Sequence, residues 1–258
     1  MNVGAVLRGL AGALWIGVLA LIVLSVVRAS RNQKTRPLTT VILVLAVFAL
    51  LLTTIGAGLV FVQPEERGVV ISAVASEGYR QDPLQPGLRW IVPFLETVQR
   101  YPISKQTYTM SIAPLEGQVQ GDDSVTARTS DGQEIFVDAS VIYRIDLPQV
   151  INLHIAWQDR YSDDLVRPLS RGVIRDAVSQ FRVDEVVSSK RAEMSGMIDE
   201  ELSFKLLEHG PVLEAFILRN PTFSPEYAAS VEQTQIADQQ AQQADPQPSG
   251  AGHLHHRS

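Results

Sequence analysis

Cysteine is absent from this chain of 258 residues, and its absence excludes disulfide bonds, thiol catalysis and cysteine metal sites. Histidine is scarce, and His154 and His209 have no suitably spaced partner, so no metal site is predicted around them. The net charge of −6 argues against nucleic-acid binding, which requires clustered lysine and arginine. These absences remove several large functional classes.

Catalytic patterns are equally scarce. The acidic pairs Asp122-Asp123 and Asp163-Asp164 are neighbours in sequence, whereas paired-carboxylate catalysis needs groups that converge from different elements. No phosphate loop or dinucleotide fingerprint occurs. We therefore predict a protein that is not an enzyme and has no cofactor; a hydrolase hidden in the polar domain is the less favoured alternative.

Charge is missing from two long apolar segments, residues 9–27 and 39–62. A membrane-spanning helix needs about 20 apolar residues, so both segments qualify. A cleaved signal peptide would have a shorter apolar region of about 7–15 residues, which disfavours that alternative for the first segment. We predict that residues 1–63 form a membrane anchor of two transmembrane helices.

The loop at 28–37 contains Arg28, Arg31, Lys34 and Arg36 and no acid. Short basic loops stay in the cytoplasm. We therefore expect an integral protein of a prokaryotic plasma membrane, with this loop cytoplasmic and the polar domain on the extracytoplasmic side.

Small residues recur every four positions in the first span, at Gly9, Ala13 and Gly17. This spacing allows close helix packing, although it also arises by chance in apolar helices. These three residues are the candidates for transmembrane helix packing.

Residues 64–146 have strand-like patterns. Asp131-Gly132 is a hairpin turn signal, and alternate apolar residues from Ile135 to Ile145 predict a half-buried strand. The segment "LRWIVPF" at 88–94 is apolar on both faces. It is either a core strand between two layers or a strand at the membrane interface, which tryptophan favours. The interface candidates are Leu88, Trp90, Ile91, Val92 and Phe94.

Helical periodicity begins at Ser162 and continues in a second helix at about 188–209, with Gly210 in the C-cap position. The segment "VLEAFILRN" then predicts a strand. Ser224 and Pro225 are typical of the start of a last helix, residues 224–244. This helix is polar nearly all round, so it either has partners or frays into the polar tail at 245–258, which is predicted to be disordered. Its candidate assembly residues are Tyr227, Val231 and Ile236.

The series "PEERGVVI", "PGLRWIVPF", "TSDGQEIFVDASVIYRID", "RPLSRGVIRDAVSQF" and "FSPEYAASVEQTQIADQQA" resembles the prohibitin and stomatin-like SPFH (Band 7) family, and its prohibitin-like branch in particular. The resemblance implies an α+β SPFH domain at 64–223, with a β-rich subdomain followed by an α/β subdomain. This domain would lie behind the two-helix transmembrane hairpin and be followed by a short helix. Only about 20 residues of the family's coiled coil precede Pro246, so we expect a shortened coiled coil.

The resemblance also implies function. By this resemblance the chain is similar to membrane scaffolds, which oligomerise and organise patches of membrane or membrane proteins. Many members of the family also restrain membrane-anchored AAA proteases. We therefore expect a membrane scaffold whose partners are the lipid bilayer and either further copies of itself or a longer SPFH paralogue. Regulation of a membrane-anchored AAA protease is the alternative.

Overall fold

The structure, a computed structural model, describes residues 3–31, 36–188, 190–219 and 221–244. The predicted disordered tail at 245–258 and Lys34 of the basic loop lie outside the described residues. The helices and strands have the following bounds: α1 Val3–Ser30, α2 Arg36–Gly58, β1 Leu59–Val62, β2 Glu66–Ser72, β3 Gly87–Trp90, β4 Glu96–Pro102, β5 Gln106–Met110, β6 Val125–Arg128, β7 Glu134–Val137, β8 Ala139–Ile145, α3 Val150–Trp157, α4 Arg167–Val178, α5 Val183–Val187, α6 Arg191–Glu208, β9 Pro211–Leu218, β10 Thr222–Phe223 and α7 Pro225–Ala244.

Helices α1 and α2 are long and apolar enough to cross a membrane. Little of their surface is covered by the rest of the chain, in contrast to the core helix of a soluble domain. The predicted second span continued to residue 62, but α2 ends at Gly58 and the next four residues form strand β1. The apolar run is unbroken there because β1 is itself apolar.

The chain folds into two compact units. The first comprises residues up to 107, 142–169 and 202–215, and the second comprises 108–141, 170–201 and residues from 216 onward. The first unit contains the antiparallel pairs β1–β3 and β2–β4. Its core includes Val69, Val70, Tyr101, Leu153 and Leu206, which are all buried.

The second unit contains the sheet β10–β7–β6, in which both neighbouring pairs are antiparallel. In addition to the sheets of the two units, strands β5, β8 and β9 form a sheet in that order. The predicted turn at Asp131-Gly132 joins β6 to β7, with Gly132 at φ 82°, a conformation that favours glycine. The core of this unit includes Met110, Ile135, Ile174 and Met194.

The predicted strand through Ile135 to Ile145 is divided at Asp138 into β7 and β8, which belong to different sheets. The Asp138 carboxylate accepts hydrogen bonds from the Ser111 hydroxyl and the Ile112 N–H, both at 2.9 Å. Its carbonyl accepts the Arg219 N–H at 2.9 Å. The alternating apolar residues on both sides of the break are buried, as predicted.

The helical region also differs in detail from the prediction. A π-helical turn, Ser162–Val166, precedes α4, with the Arg167 N–H donating to the Ser162 carbonyl. Pro168 is the second residue of α4, where a missing N–H is tolerated. The second predicted helix, at about 188–209, is α6, and a separate short helix, α5, precedes it. Gly210 ends α6 with φ 106°, as its C-cap position predicted.

Candidate membrane edge and assembly helix

Helix α2 passes into strand β1 without a linker. Strand β1 pairs with β3 so that Leu59 lies opposite Trp90 and Val62 opposite Gly87. The Ile91 N–H donates to the Gly58 carbonyl at 2.8 Å. A Cβ atom at Gly58 would lie 2.7 Å from the Trp90 ring and 2.8 Å from the Ile91 carbonyl oxygen, so only glycine allows this close approach. The end of α2 is therefore fixed against β3.

The first helix begins beside this junction. A Cβ atom at Gly4 would lie 3.2 Å from the Leu59 carbonyl oxygen, and one at Gly56 would lie 3.3 Å from the Leu7 Cβ. Farther along the pair of helices, the Trp15 indole N–H donates to the Thr53 hydroxyl at 3.1 Å. The start of α1 and the end of α2 thus lie at the same end of a helical hairpin.

Large apolar side chains are exposed next to this junction. We call them the apolar edge: Phe61, Leu88, Trp90, Phe94 and Leu95. Three of the five predicted interface residues belong to it, namely Leu88, Trp90 and Phe94. Of the other two, Ile91 is buried and Val92 is half-buried. Exposed apolar groups at the end of an apolar helix are suited to the boundary between lipid and water.

Phe94 is the most exposed member of the apolar edge, at 86 %. Its φ of 67° is unusual for a residue other than glycine and is tolerated only where neighbouring groups fix the backbone. The Leu95 and Glu96 N–H groups both donate to the Val92 carbonyl, at 3.3 and 3.0 Å. The Ala73 N–H donates to the Leu95 carbonyl at 2.9 Å. These bonds hold the phenyl ring outward at the tip of a tight turn.

Glu96 closes the same turn. Its carboxylate accepts the Val92 N–H at 2.7 Å and the Arg80 Nε at 2.9 Å, with a second bond from Arg80 Nη2. The Glu96 side chain is only 3 % exposed, whereas that of Arg80 is 35 % exposed. Burial alone would raise the pKa of Glu96, but the hydrogen bonds from Arg80 and Val92 outweigh it and lower this pKa. We call Arg80, Glu96 and the Val92 N–H the carboxylate clamp.

The predicted small residues of α1 do not form its contact with α2. The buried residues of α1 on that face are Gly4, Ala11 and Val18, whereas added Cβ atoms at Gly9 and Gly17 would meet open space. Ala13 and Gly17 line a groove of about 820 Å³ beside α2, together with Leu10, Leu14, Ala20, Leu21, Leu45, Phe48 and Leu52. Packing of a further helix against Gly9, Ala13 and Gly17 stays a prediction.

Helix α7 begins as the sequence predicts, because the Tyr227 N–H donates to the Ser224 hydroxyl at 3.3 Å. The Phe223 and Tyr227 rings pack with centroids 5.2 Å apart. Beyond this turn Val231 and Ile236 are exposed on an otherwise polar helix, while Tyr227 is half-buried. A groove of about 440 Å³ lies between α5 and this helix, lined in part by Val183, Val187, Tyr227 and Val231. Use of these residues in assembly stays a prediction.

His154 and His209 are packing residues in this structure. The Tyr101 hydroxyl lies 2.6 Å from His154 Nδ1, and His209 packs edge-on against Trp157. Burial lowers the pKa of His154 and raises that of Tyr101 to about 12. Across the described residues, no three histidine, aspartate or glutamate side chains are grouped so as to hold a metal ion.

Sequence reasoning missed Phe61, Leu95 and the carboxylate clamp. Phe61 fell inside the predicted second span, and Leu95 lay one residue beyond the chosen segment. Arg80 and Glu96 are 16 residues apart and carry no local signal of pairing. Pro93, a residue typical of turns, is the sequence feature that points to an exposed tip at this place.

Comparison with known proteins gives consistent matches. The SPFH domain / Band 7 family matches residues 60–247, nearly three quarters of the chain. The chain is 29 % identical over 181 residues to Prohibitin-1 of Saccharomyces cerevisiae, covering 69 % of this chain and 56 % of that protein. It is 25 % identical to Prohibitin-2 of the same yeast, covering 69 % and 52 %, and 23 % identical to Prohibitin-3, mitochondrial, of Arabidopsis thaliana, covering 74 % and 64 %. The chain spans about half the length of the first two of these relatives.

Proposed function

Because the chain belongs to the SPFH domain / Band 7 family, we propose that it is a membrane-anchored scaffold that assembles at the bilayer surface. Residues 1–63 anchor it, residues 64–223 form the SPFH domain, and residues 224–244 begin a coiled-coil-like helix. Its assembly partners are further copies of itself or a longer SPFH paralogue. In this role the domain binds and organises membrane proteins or lipid patches rather than catalysing a reaction.

One observation carries the proposal: the direct junction of α2 with β1 and β3, beside the apolar edge. A scaffold that organises membrane must hold its domain at a fixed height and orientation above the lipid. A junction without a linker fixes the height, because Leu59 follows Gly58 directly and pairs with Trp90. The five side chains of the apolar edge then face the boundary between lipid and water, where the free-energy cost of exposing apolar surface is lower than in bulk water.

Assembly is assigned to α7 and to the open face of α1. An isolated polar helix with two exposed apolar residues gains stability when a partner covers Val231 and Ile236. The open spacing of Gly9, Ala13 and Gly17 gives a second place at which copies approach within the membrane.

The native mass of the full chain in mild detergent tests this assembly. We expect a defined complex of several subunits for the wild-type chain. The double variant Val231→Asp/Ile236→Asp places charge on the apolar positions of α7 and should reduce the mass. Gln233→Asp/Gln239→Asp adds the same charge at exposed polar positions and should leave the mass unchanged. A wild-type chain that is uniformly monomeric would contradict the scaffold proposal.

Restraint of a membrane-anchored AAA protease is the alternative function that the family resemblance implies. It requires one dominant protein partner, whereas a general scaffold recovers lipid, its own copies and several membrane proteins. Crosslinking from the SPFH domain in intact membranes separates the two. Recovery of one AAA protease in stoichiometric amount would favour the alternative.

Orientation is part of the proposal: the SPFH domain is extracytoplasmic in a prokaryotic plasma membrane, and the loop at 28–37 is cytoplasmic. The absence of cysteine allows a clean test with the single variant Ser76→Cys, since Ser76 is exposed. An impermeant thiol reagent should label this variant in whole cells. Labelling only after lysis would reverse the orientation.

A further inference from the structure

A polar cleft of about 570 Å³ lies in the first unit between the loop at 75–85 and the side chain of Arg89. The loop is held along strand β2 by backbone hydrogen bonds. The Gly68 N–H donates to the Leu84 carbonyl at 3.2 Å, and the Leu84 N–H donates to the Gly68 carbonyl at 2.7 Å. The Arg80 N–H donates to the Val70 carbonyl at 2.9 Å. The Ser72 backbone N–H donates to the Gly78 carbonyl at 2.8 Å. The cleft therefore has fixed walls.

Arg89 provides the positive charge of the cleft. Its Nε donates to the Gln85 carbonyl at 3.0 Å and its Nη2 to the Pro86 carbonyl at 3.1 Å. These bonds position the guanidinium without neutralising it, and no carboxylate of the described residues forms an ion pair with it. Arg80 differs, because Glu96 of the carboxylate clamp balances its charge. A positioned arginine with free N–H groups is suited to a phosphate group.

Negative charge lines another part of the cleft, at Glu77 and Asp82. Interaction with the Glu77 carboxylate raises the pKa of the Tyr79 hydroxyl. Among the described residues neither Glu77 nor Asp82 has an ion pair with a cationic side chain. The cleft thus offers a cation for an anionic group and two carboxylates for a cationic group, the pattern that a zwitterion complements.

The distance of Arg89 from the end of the membrane helix α2 indicates the source of such a zwitterion. Arg89 pairs with Val60, two residues beyond the end of α2 at Gly58. At about 3.3 Å per residue of strand, Arg89 lies roughly 7 Å past the end of the helix. The polar layer on each side of a bilayer is about 5–8 Å thick, from its total and hydrocarbon thicknesses. Leu88 and Trp90 alternate with Arg89 along the strand and are exposed members of the apolar edge.

We propose that this cleft binds the headgroup of a membrane phospholipid that carries a primary amine, with Arg89 on the phosphate and with Glu77 and Asp82 on the ammonium group. A primary ammonium donates hydrogen bonds to carboxylates, whereas the quaternary ammonium of a choline headgroup has no N–H to donate. The inference rests on the proposed placement of the apolar edge at the membrane surface. It extends that proposal from contact with lipid in general to selection of one class of lipid.

The test uses the full chain reconstituted in nanodiscs of phosphatidylcholine with about one tenth phosphatidylethanolamine. The protein is then extracted in mild detergent, and the lipids that remain bound are identified by mass spectrometry. We expect the wild-type chain to enrich phosphatidylethanolamine, and Arg89→Gln to reduce this enrichment about tenfold, as expected for loss of a charge-assisted bond. The matched control is Arg100→Gln, which removes an exposed arginine of β4 outside the cleft.

A second variant guards against a folding defect in Arg89→Gln. Glu77→Gln/Asp82→Asn keeps the shape of two exposed side chains and should abolish the preference for the amine lipid while lipid binding persists. Equal retention of both lipids by the wild-type chain would overturn the proposal, as would equal behaviour of the Arg89→Gln and Arg100→Gln variants. Soluble glycerophosphoethanolamine should displace the lipid weakly; displacement at the lipid's own affinity would overturn assignment to the membrane.

Native mass measured on the same samples separates this inference from the scaffold proposal. Arg89→Gln should keep the wild-type mass, because Arg89 is not part of α7 or α1. For the wild-type chain, a monomeric mass with intact lipid selection would contradict the scaffold alone, and a full-sized complex without lipid selection would contradict the lipid site alone.

Discussion

The apolar edge and helix α7 both expose apolar side chains, but they are held in place very differently. At the apolar edge, Phe94 stands at the tip of a turn fixed by backbone bonds and by the buried carboxylate of Glu96. At the start of α7, the described contacts are the Ser224 cap and the packing of Phe223 on Tyr227. Beyond them Val231 and Ile236 lie on a helix whose described side chains are almost all exposed.

The apolar edge is thus organised before it meets a partner, whereas helix α7 depends on a partner to organise it. A preorganised surface loses little conformational entropy on contact, which suits repeated contact with a fluid bilayer. A helix that is marginal alone is stabilised only when a second helix covers it, so its order depends on protein concentration. The following variants test whether the contrast is real, in order of expected effect.

The largest effect is expected for Glu96→Ala, which leaves the Arg80 guanidinium and the Val92 N–H without their acceptor. Removing one partner of a buried ion pair costs about 3–5 kcal/mol, and the partial exposure of Arg80 reduces this to about 2 kcal/mol. Amides of Leu95 and Glu96 should then exchange with solvent about 30-fold faster, measured by hydrogen–deuterium exchange in detergent. Unchanged rates would mean that the backbone alone fixes the turn.

Acidification should act on the same turn. The pKa of Glu96 is lower in the folded protein than its ordinary value of 4.5. The clamp therefore contributes its full stability above about pH 4.5, and this contribution is lost as the pH falls through the lowered pKa. Exchange at residues 92–96, corrected for the intrinsic effect of pH, should rise in this range for the wild-type chain. The Glu96→Ala variant should show no such rise; an equal rise would assign the effect to another group.

A smaller effect is expected for Ser224→Ala, which removes the N-cap of α7. Loss of a serine cap costs about 1 kcal/mol, so amides in the first turn of α7 should exchange about five times faster. Ser230→Ala, at an exposed position inside the helix, is the control and should not accelerate exchange. If assembly stabilises α7 strongly, dilution should enlarge the effect of Ser224→Ala.

The smallest effect is expected for Glu116→Ala in the second unit. Glu116 pairs with Arg219, but both side chains are exposed, and such pairs contribute only a few tenths of a kcal/mol. Local exchange should change less than about twofold. A loss as large as that of Glu96→Ala would show that burial of the carboxylate is not what distinguishes the clamp.

The sequence predicted the class of fold well because its signals are local. The two apolar spans, the turn at Asp131-Gly132, the Ser224 cap and the glycine end of α6 each depend on a few adjacent residues. The alternation through Ile135 and Ile145 also identified buried positions correctly, even though Asp138 divides that segment.

The remaining features depend on distant partners. The end of α2 was misplaced because Leu59–Val62 is as apolar as the helix before it, and only pairing with β3 makes it a strand. Apolar content likewise could not decide whether Trp90 was buried, since exposure depends on which layers cover β3. The ion pair of Arg80 with Glu96 and the charges around Arg89 arise from the path of the loop at 75–85, which no local pattern encodes.

The close contact at Gly58 couples any movement of helix α2 to strands β1 and β3. A transmembrane helix tilts when its apolar length differs from the thickness of the surrounding bilayer. The Gly58 carbonyl accepts a hydrogen bond from the Ile91 N–H, and Gly58 packs on the Trp90 ring. Any tilt of α2 must therefore move β1 and β3 with it. In the proposed membrane-anchored scaffold, the junction would therefore convert the local thickness of the membrane into the angle of a protein surface. A scaffold built from such subunits would sense the mechanics of its bilayer at every anchor.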